Sequence, residues 1–352
     1  MRAFVYTALP TRVVFGEGAL DKLGEEMERL GAQRALVLST PEQRSSAEDV
    51  ARRLGARAAG IYDKAVMHTP IESAEAARRV AAELKADCCV AIGGGSTTGL
   101  GKAIALTSAL PILAIPTTFA GSEMTPIQGI TEGGVKKTVR DLRMLPKTVI
   151  YDPRLLLSLP ARIAGPSGIN GIAHCVEALY AQEANPVTSL MAEEGIRALA
   201  HSLPQVVHEP QNLEARGEAL YGAWLAGLSL GLVGMALHHK LCHTLGGTFN
   251  LPHAETHTIV LPHATQYNAQ AAPEAMARIT RAMGTQDAAG GLYDLAKTIG
   301  APLALKDIGM PADGLDRAAD LAVTNAYWNP RPLERAAIRE LLQAAWEGRR
   351  PS

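Results

Sequence analysis

Short β-rich runs alternate with amphipathic helical stretches through the first 150 residues, and beyond Asp152-Pro153 such runs almost vanish. That ordering restricts the chain to an open parallel sheet with crossover helices, followed by an all-helical half. Leu20, Leu23, Met27 and Leu30 recur at helical spacing, and Ala35-Leu36-Val37-Leu38 reads as a fully buried strand. A second helix is predicted from near Ser46 to Leu54, and a longer one opens at Thr69-Pro70 and runs to about Lys85. Two more strands follow, at Cys88 to Ile92 and Ile112 to Ile115, the latter stopped by Pro116. The alternation Val135-Lys136-Lys137-Thr138-Val139 after Gly133-Gly134 predicts a β-hairpin arm. The two-proline stretch between Tyr151 and Pro160 divides residues 1–155, a Rossmann-like α/β domain, from residues 156–352, an all-α domain. A length of 352 residues suffices for two cores.

Composition removes several classes of function. Lys and Arg (34) balance Asp and Glu (35), so no basic patch is expected for nucleic acid or a membrane surface. Aromatic residues at 4% leave few platforms for stacking bases. No stretch approaches the ~20 apolar residues of a membrane span, and the first residues lack the apolar region of a signal peptide. The expected location is the cytoplasm. Cys88, Cys89, Cys175 and Cys242 form no CxxC pair and read as buried apolar filler.

Two groups of residues carry chemistry. Gly93-Gly94-Gly95-Ser96-Thr97 leaves a buried strand and enters a helix. Glycines there let backbone approach a ligand, and the helix N-terminus offers unpaired N–H groups and partial positive charge. Thr117, Thr118 and Ser122 follow the next strand at the same carboxyl edge, where open α/β sheets bind nucleotides. A dinucleotide is the expected ligand. Ser39-Thr40-Pro41 carries no acid to read a ribose hydroxyl, which leaves NADH and NADPH open. The second group is a cluster of histidines: six of the ten fall between 238 and 263, and Asn170/His174 and His239/His243 are both i,i+4 pairs. Such density points to a metal site or to acid–base work.

These motifs resemble those of the iron-containing alcohol dehydrogenase superfamily and, within it, the maleylacetate reductases. The likeness rests on Val14-Phe15-Gly16, the glycine turn, Pro116 to Glu123, Asn170 to Ala178, His239 to Gly247, Pro252-His253 and Asn329-Pro330-Arg331-Pro332. It implies the dehydroquinate synthase-like architecture of that superfamily and a homodimer. In metal-dependent members an Asp and three His hold a cation at positions that fall here on Asn170, His174, His239 and His253. An amide has replaced the single anionic ligand, and Gly99 stands where an acid is usual. Both departures match the maleylacetate reductases, so the resemblance implies catalysis without a metal.

The reaction so implied is NAD(P)H-dependent reduction of the carbon–carbon double bond of maleylacetate, a small dicarboxylate, to 3-oxoadipate in the breakdown of resorcinol, hydroxyquinol or chlorocatechol. It needs an acid for carbon and a donor for the developing enolate. His243 is the expected acid, with His253 and His239 as donors. Asn170, His174, Lys240 and Phe119 are expected to contact substrate, and Lys136, Lys137, Arg140 and Arg143 are weaker candidates for its carboxylates. The rival reading is an iron- or zinc-dependent alcohol dehydrogenase acting on a small carbonyl. A non-catalytic nucleotide- or metal-binding protein is the third.

Overall fold

The computed structural model describes residues 3–67, 69–132 and 135–351, with backbone alone at 130–132 and 135–137. Six strands form one sheet: β1 (Arg12–Phe15), β2 (Ala35–Leu38), β3 (Ala58–Tyr62), β4 (Cys88–Gly93), β5 (Ile112–Pro116) and, after the hairpin β6 (Ile127–Glu132) and β7 (Val135–Arg140), β8 (Thr148–Tyr151). Their spatial order is β3-β2-β4-β5-β8-β1, and every neighbouring pair is parallel.

Alternation along each strand explains why both faces are covered. Val37, Cys88, Val90, Ile92, Leu113, Ile115 and Ile150 point into one core, closed by Leu23, Met27, Val50 and Leu54 from the helices Leu23–Arg29 and Arg44–Leu54. Leu36, Leu38, Cys89, Ala91 and Ile112 enter the opposite core, closed by the helices Ile71–Glu83 and Gly95–Ser108. The four cysteines are buried, and burial pushes the Cys89 and Cys175 thiols up to about 12, which leaves them inert. The hairpin forms as the alternation predicts, with Ile127 opposite Arg140, while its expected turn at Gly133-Gly134 and the side chains of Lys136 and Lys137 lie outside the described residues.

Past Tyr151 the described residues hold no further strand. The compact units are Leu9–Leu159 and the helical part from Pro160 onward, and the segment ending at Ala8 groups with the helices rather than with the sheet. In the helical unit, Ala161–Tyr180 packs against Pro186–His208 and Leu213–Leu232. Leu237–Phe249 and His253–Asn268 share a second apolar core with Leu315–Val323 and Arg335–Glu347. No single described helix is long and apolar enough to cross a membrane.

Candidate active site

In the sheet unit the two polar turns expected at one edge do lie side by side. Gly93 at the end of β4 is in register with Pro116 at the end of β5, and the Thr117 N–H donates to the Gly93 carbonyl at 3.1 Å. Gly93 adopts φ +152°, which an L side chain rarely allows. A Cβ on Gly94 would stand 2.9 Å from Thr118 Cγ2. The helix from Gly95 has no side-chain cap and no acid in its first turn, so its N–H groups are available to an anion. Around it Ser39 Oγ, Thr97 Oγ1 and Ser122 Oγ are buried without a protein hydrogen-bond partner, so each can serve a bound water or ligand. The donor set and the bare backbone fit a pyrophosphate. Gly94→Ala is expected to weaken NADH binding roughly ten-fold, or about 1.4 kcal/mol, by pushing Thr118 aside. Fluorescence titration measures it, and a loss under two-fold would remove this turn as the binding seat.

Three features of this edge carried no signal in the sequence. Gln43 Nε2 donates to Thr117 Oγ1 at 2.7 Å, which engages that hydroxyl. Gln128 fills the space beside Gly99, its Nε2 bonded to Thr69 Oγ1. Lys102, fully buried one turn beyond Thr98, donates to the Ser122 carbonyl (2.6 Å), Thr125 Oγ1 (2.9 Å) and the Ile127 carbonyl (2.9 Å). Burial pulls its pKa down to about 7, opposed by the buried carboxylate of Glu123, which accepts from Tyr151 OH at 2.6 Å. Lys102 thus ties the Pro116–Ile127 loop to the helix behind the glycine turn. Phe119, expected to touch substrate, is fully buried within this unit, and Arg143 is held by Asp141 at 2.7 Å.

In the helical unit three helices supply the histidines. Asn170, His174 and Glu177 share a face of Ala161–Tyr180, His239 and His243 share one of Leu237–Phe249, and His253 and His257 lie one turn apart on the next helix. The rings meet: centroid distances are 5.1 Å for His174–His239, 6.1 Å for His239–His243, 6.5 Å for His243–His253 and 4.4 Å for His253–His257. His174, His238, His239 and His257 are buried, whereas His243, His253 and Lys240 are half-buried at the rim.

Glu177 organises the cluster. Its carboxylate accepts from the N–H groups of Ala236 (2.8 Å) and His238 (2.7 Å) at the start of the helix Leu237–Phe249, and from His239 Nδ1 (2.7 Å). Burial pushes Glu177 up to about 7 while these donors oppose the shift. With three donors converging, the ionised form is the one whose acceptors are all used. His239 therefore holds its proton on Nδ1, and burial lowers its pKa to about 3. Its buried, partnerless Nε2 presents a lone pair, which differs from the donor role expected of His239. Asn329 of the Asn-Pro-Arg-Pro motif completes the same helix start, its Oδ1 accepting from the Leu237 N–H at 3.3 Å. At the rim His243 Nδ1 lies 3.1 Å from Tyr327 OH, and Lys240 Nζ donates to the Thr324 carbonyl at 2.8 Å. Tyr327 is a site residue the sequence left unmarked, while Glu177 and His257 stand in it only as members of a motif and of the histidine cluster, without a role.

As a cation site this arrangement fits poorly. Asn170 brings no charge, and Glu177, the carboxylate at hand, is already engaged. Among the described residues, the His, Cys, Asp and Glu ligand atoms that gather in a group of three are those of His238, Cys242 and His257, within 4.8 Å of one another. His174, His239 and His253 do not gather so.

Comparison with known proteins accounts for the whole chain. Residues 10–153 match the model of iron-containing alcohol dehydrogenases, and residues 165–346 match that of the C-terminal part of the Fe-containing alcohol dehydrogenase family. The chain belongs to this family. A maleylacetate reductase from Burkholderia cepacia is 61% identical over 352 residues, all of both chains. The crystal structures of maleylacetate reductases from Agrobacterium tumefaciens and from Rhizobium sp. strain MTP-10005 superpose with TM-scores of 0.96 and 0.95, each at 54% identity with full coverage of both chains. Within the iron-containing alcohol dehydrogenases, the chain thus groups with the maleylacetate reductases, and it is an oxidoreductase of that fold.

Proposed function

We propose that this family member reduces the carbon–carbon double bond of maleylacetate to give 3-oxoadipate, with NADH or NADPH as the source of hydride. Full-length kinship with maleylacetate reductases supports the substrate. The observation that supports the chemistry is a cluster of imidazoles in mutual contact, their charged forms disfavoured by burial, on helices that include Asn170, so that substrate charge would meet hydrogen-bonding groups rather than an anionic ligand set. The bare glycine turn and the partnerless hydroxyls of Thr97 and Ser122 support the dinucleotide.

The reduced nicotinamide would supply hydride to the alkene carbon farther from the ketone. The protein has two tasks in that step: steadying charge on the ketone oxygen and delivering a proton to the carbon beside it. His243, half-buried with Nδ1 against Tyr327 OH, is the group that would deliver the proton to carbon. His253 lies parallel to it across 6.5 Å as a second group at the rim. Lys240 offers a cation to a substrate carboxylate, and Asn170 and His174 shape the inner wall. A homodimer and a cytoplasmic setting accompany this reading.

One assay tests it: purified protein, maleylacetate and NADH or NADPH, followed at 340 nm with the product identified. Formation of the saturated keto-diacid, unaffected by chelator, is expected. The His239–Glu177 contact is of the kind that orients a metal-bound imidazole, which gives the alternative its footing. Turnover lost on chelation and restored by Fe²⁺ or Zn²⁺, or a hydroxy-acid product, would replace the proposal with a metal-dependent alcohol dehydrogenase.

A further inference from the structure

A cavity of about 740 Å³ lies wholly within the helical unit, walled by the far end of the helix His253–Asn268 and by the helix Arg335–Glu347. Its volume is that of a small-molecule site. It is a separate place from the histidine cluster. At 1.5 Å per residue, Gln266 in its wall stands about 20 Å along the helix from His253.

Arg331 is the built part of this wall. Its guanidinium lies over the Tyr267 ring, with Cζ 4.1 Å from the centroid, and Nη1 donates to the Tyr267 carbonyl at 3.3 Å. The stack is braced on both sides. Tyr267 OH donates to the Pro332 carbonyl (2.7 Å) and accepts from the Glu334 N–H (3.1 Å), while Asn329 Nδ2 donates to the Arg331 carbonyl (2.7 Å). Arg331 is thus half-buried and held in place with most of its five N–H donors unspent. Among the described residues, none of its contacts is with a carboxylate. The other two arginines of the wall differ. Arg350 is met by Asp294 at 2.8 Å and Arg349 by Glu347 at 2.7 Å. Glu340, the acid of the lining, is exposed, where water screens it.

The rest of the lining suits an organic body rather than a bare ion. Ala337, Leu341 and Ala344 recur at i, i+4 and i+7 and so present one apolar face of their helix. His263 also lines the cavity; it is only 5% exposed, and its Nε2 has no protein hydrogen-bond partner. A planar fork of N–H groups matches the edge of a carboxylate with two parallel bonds. A carboxylate arriving at Arg331 would displace no ion-pair partner, and its apolar remainder would meet the helix face.

We propose that this cavity is a binding site for a small carboxylic acid with an apolar body, its carboxylate on Arg331 and its body against Leu341 and Ala344. The site does not depend on the reaction proposed above, and its test needs no turnover.

Benzoate is the probe. Isothermal titration of the full chain at fixed ionic strength should show binding with a Kd of about 1 mM or tighter. Benzoate could also enter a substrate site elsewhere on the chain, so variants of the cavity decide the matter. Arg331→Met keeps a side chain that packs on an aromatic ring and loses the fork; it should weaken benzoate at least ten-fold. Ala344→Phe alters no charge and fills the space from the other helix, so it should cause a comparable loss even if Arg331→Met fails to fold. Acetate, with the same charge and no body, should bind at least ten-fold more weakly than benzoate. Benzoate affinity within two-fold of wild type in a folded Ala344→Phe protein would overturn the proposal, as would a wild type that binds no benzoate at ten times the expected Kd. Equal affinities for acetate and benzoate would also overturn it, because the cavity would then be no more than a seat for any anion.

Discussion

His243→Ala should lower kcat by between about 10² and 10⁴, the usual contribution of a positioned general acid, while NADH binds within two-fold of wild type. His243 sits at the half-buried rim, a helical turn from His239, with Nδ1 held against Tyr327 OH. That contact fixes the plane of the ring. Loss of the ring removes the proton source and leaves the glycine turn of the sheet unit untouched, so the deficit belongs in kcat rather than in dinucleotide affinity. Stopped-flow NADH oxidation and fluorescence titration measure the two separately. Turnover that survives the substitution would strip His243 of the acid role and move attention to His253.

Acid should unfold the protein unusually early. Burial, reinforced for His174, His238 and His257 by neighbouring imidazoles, depresses the pKa of these rings and of His239, which falls to about 3, and His263 falls to about 4. In the unfolded chain each would titrate near 6.5. Between the folded pKa and 6.5 the unfolded chain binds more protons, so stability is complete above pH 6.5 and drains away as pH falls. Each ring that stays neutral in the fold contributes about 1.4 kcal/mol of loss per pH unit. Glu177, raised to about 7, works in the opposite sense and offsets about one ring, and Glu123, which burial also raises, acts in the same direction as Glu177. The net loss by pH 5.5 is at most roughly 5 kcal/mol, comparable with the whole stability of many domains. Urea unfolding at pH 7.5, 6.5 and 5.5 measures this directly. A midpoint that stays level across that range would mean the rings are hydrated or charged in the native protein.

The parts of the fold legible in the sequence were those in which local pattern and burial coincide. β2, β4 and β5 are continuous apolar runs because both faces of the sheet are covered, and such runs announce themselves. β1, β3 and β8 gave no comparable signal: β1 is partly exposed with Arg12 and Val13 mixed in, β3 includes a glycine, and β8 is four residues long. The glycine turn was readable since few sequences place three glycines between a strand and a helix without a reason. Glu177 was not, because a carboxylate one turn beyond a histidine looks like any solvated charge until a second helix aims its N–H groups at it. Lys102 resembled an ordinary helix cation for the same reason. The histidines were visible as a crowd, but which nitrogen carries each proton depends on contacts between residues as far apart as 177 and 239.

Lys102 also bears on how a ligand is received. A loop of this length would ordinarily gain order only when something bound to it, and part of the binding energy would be spent on that ordering. Here the ammonium has already drawn Ser122, Thr125 and Ile127 together. A coenzyme seated there, as proposed, would meet a finished socket, so little of its adhesion would be consumed in shaping the wall.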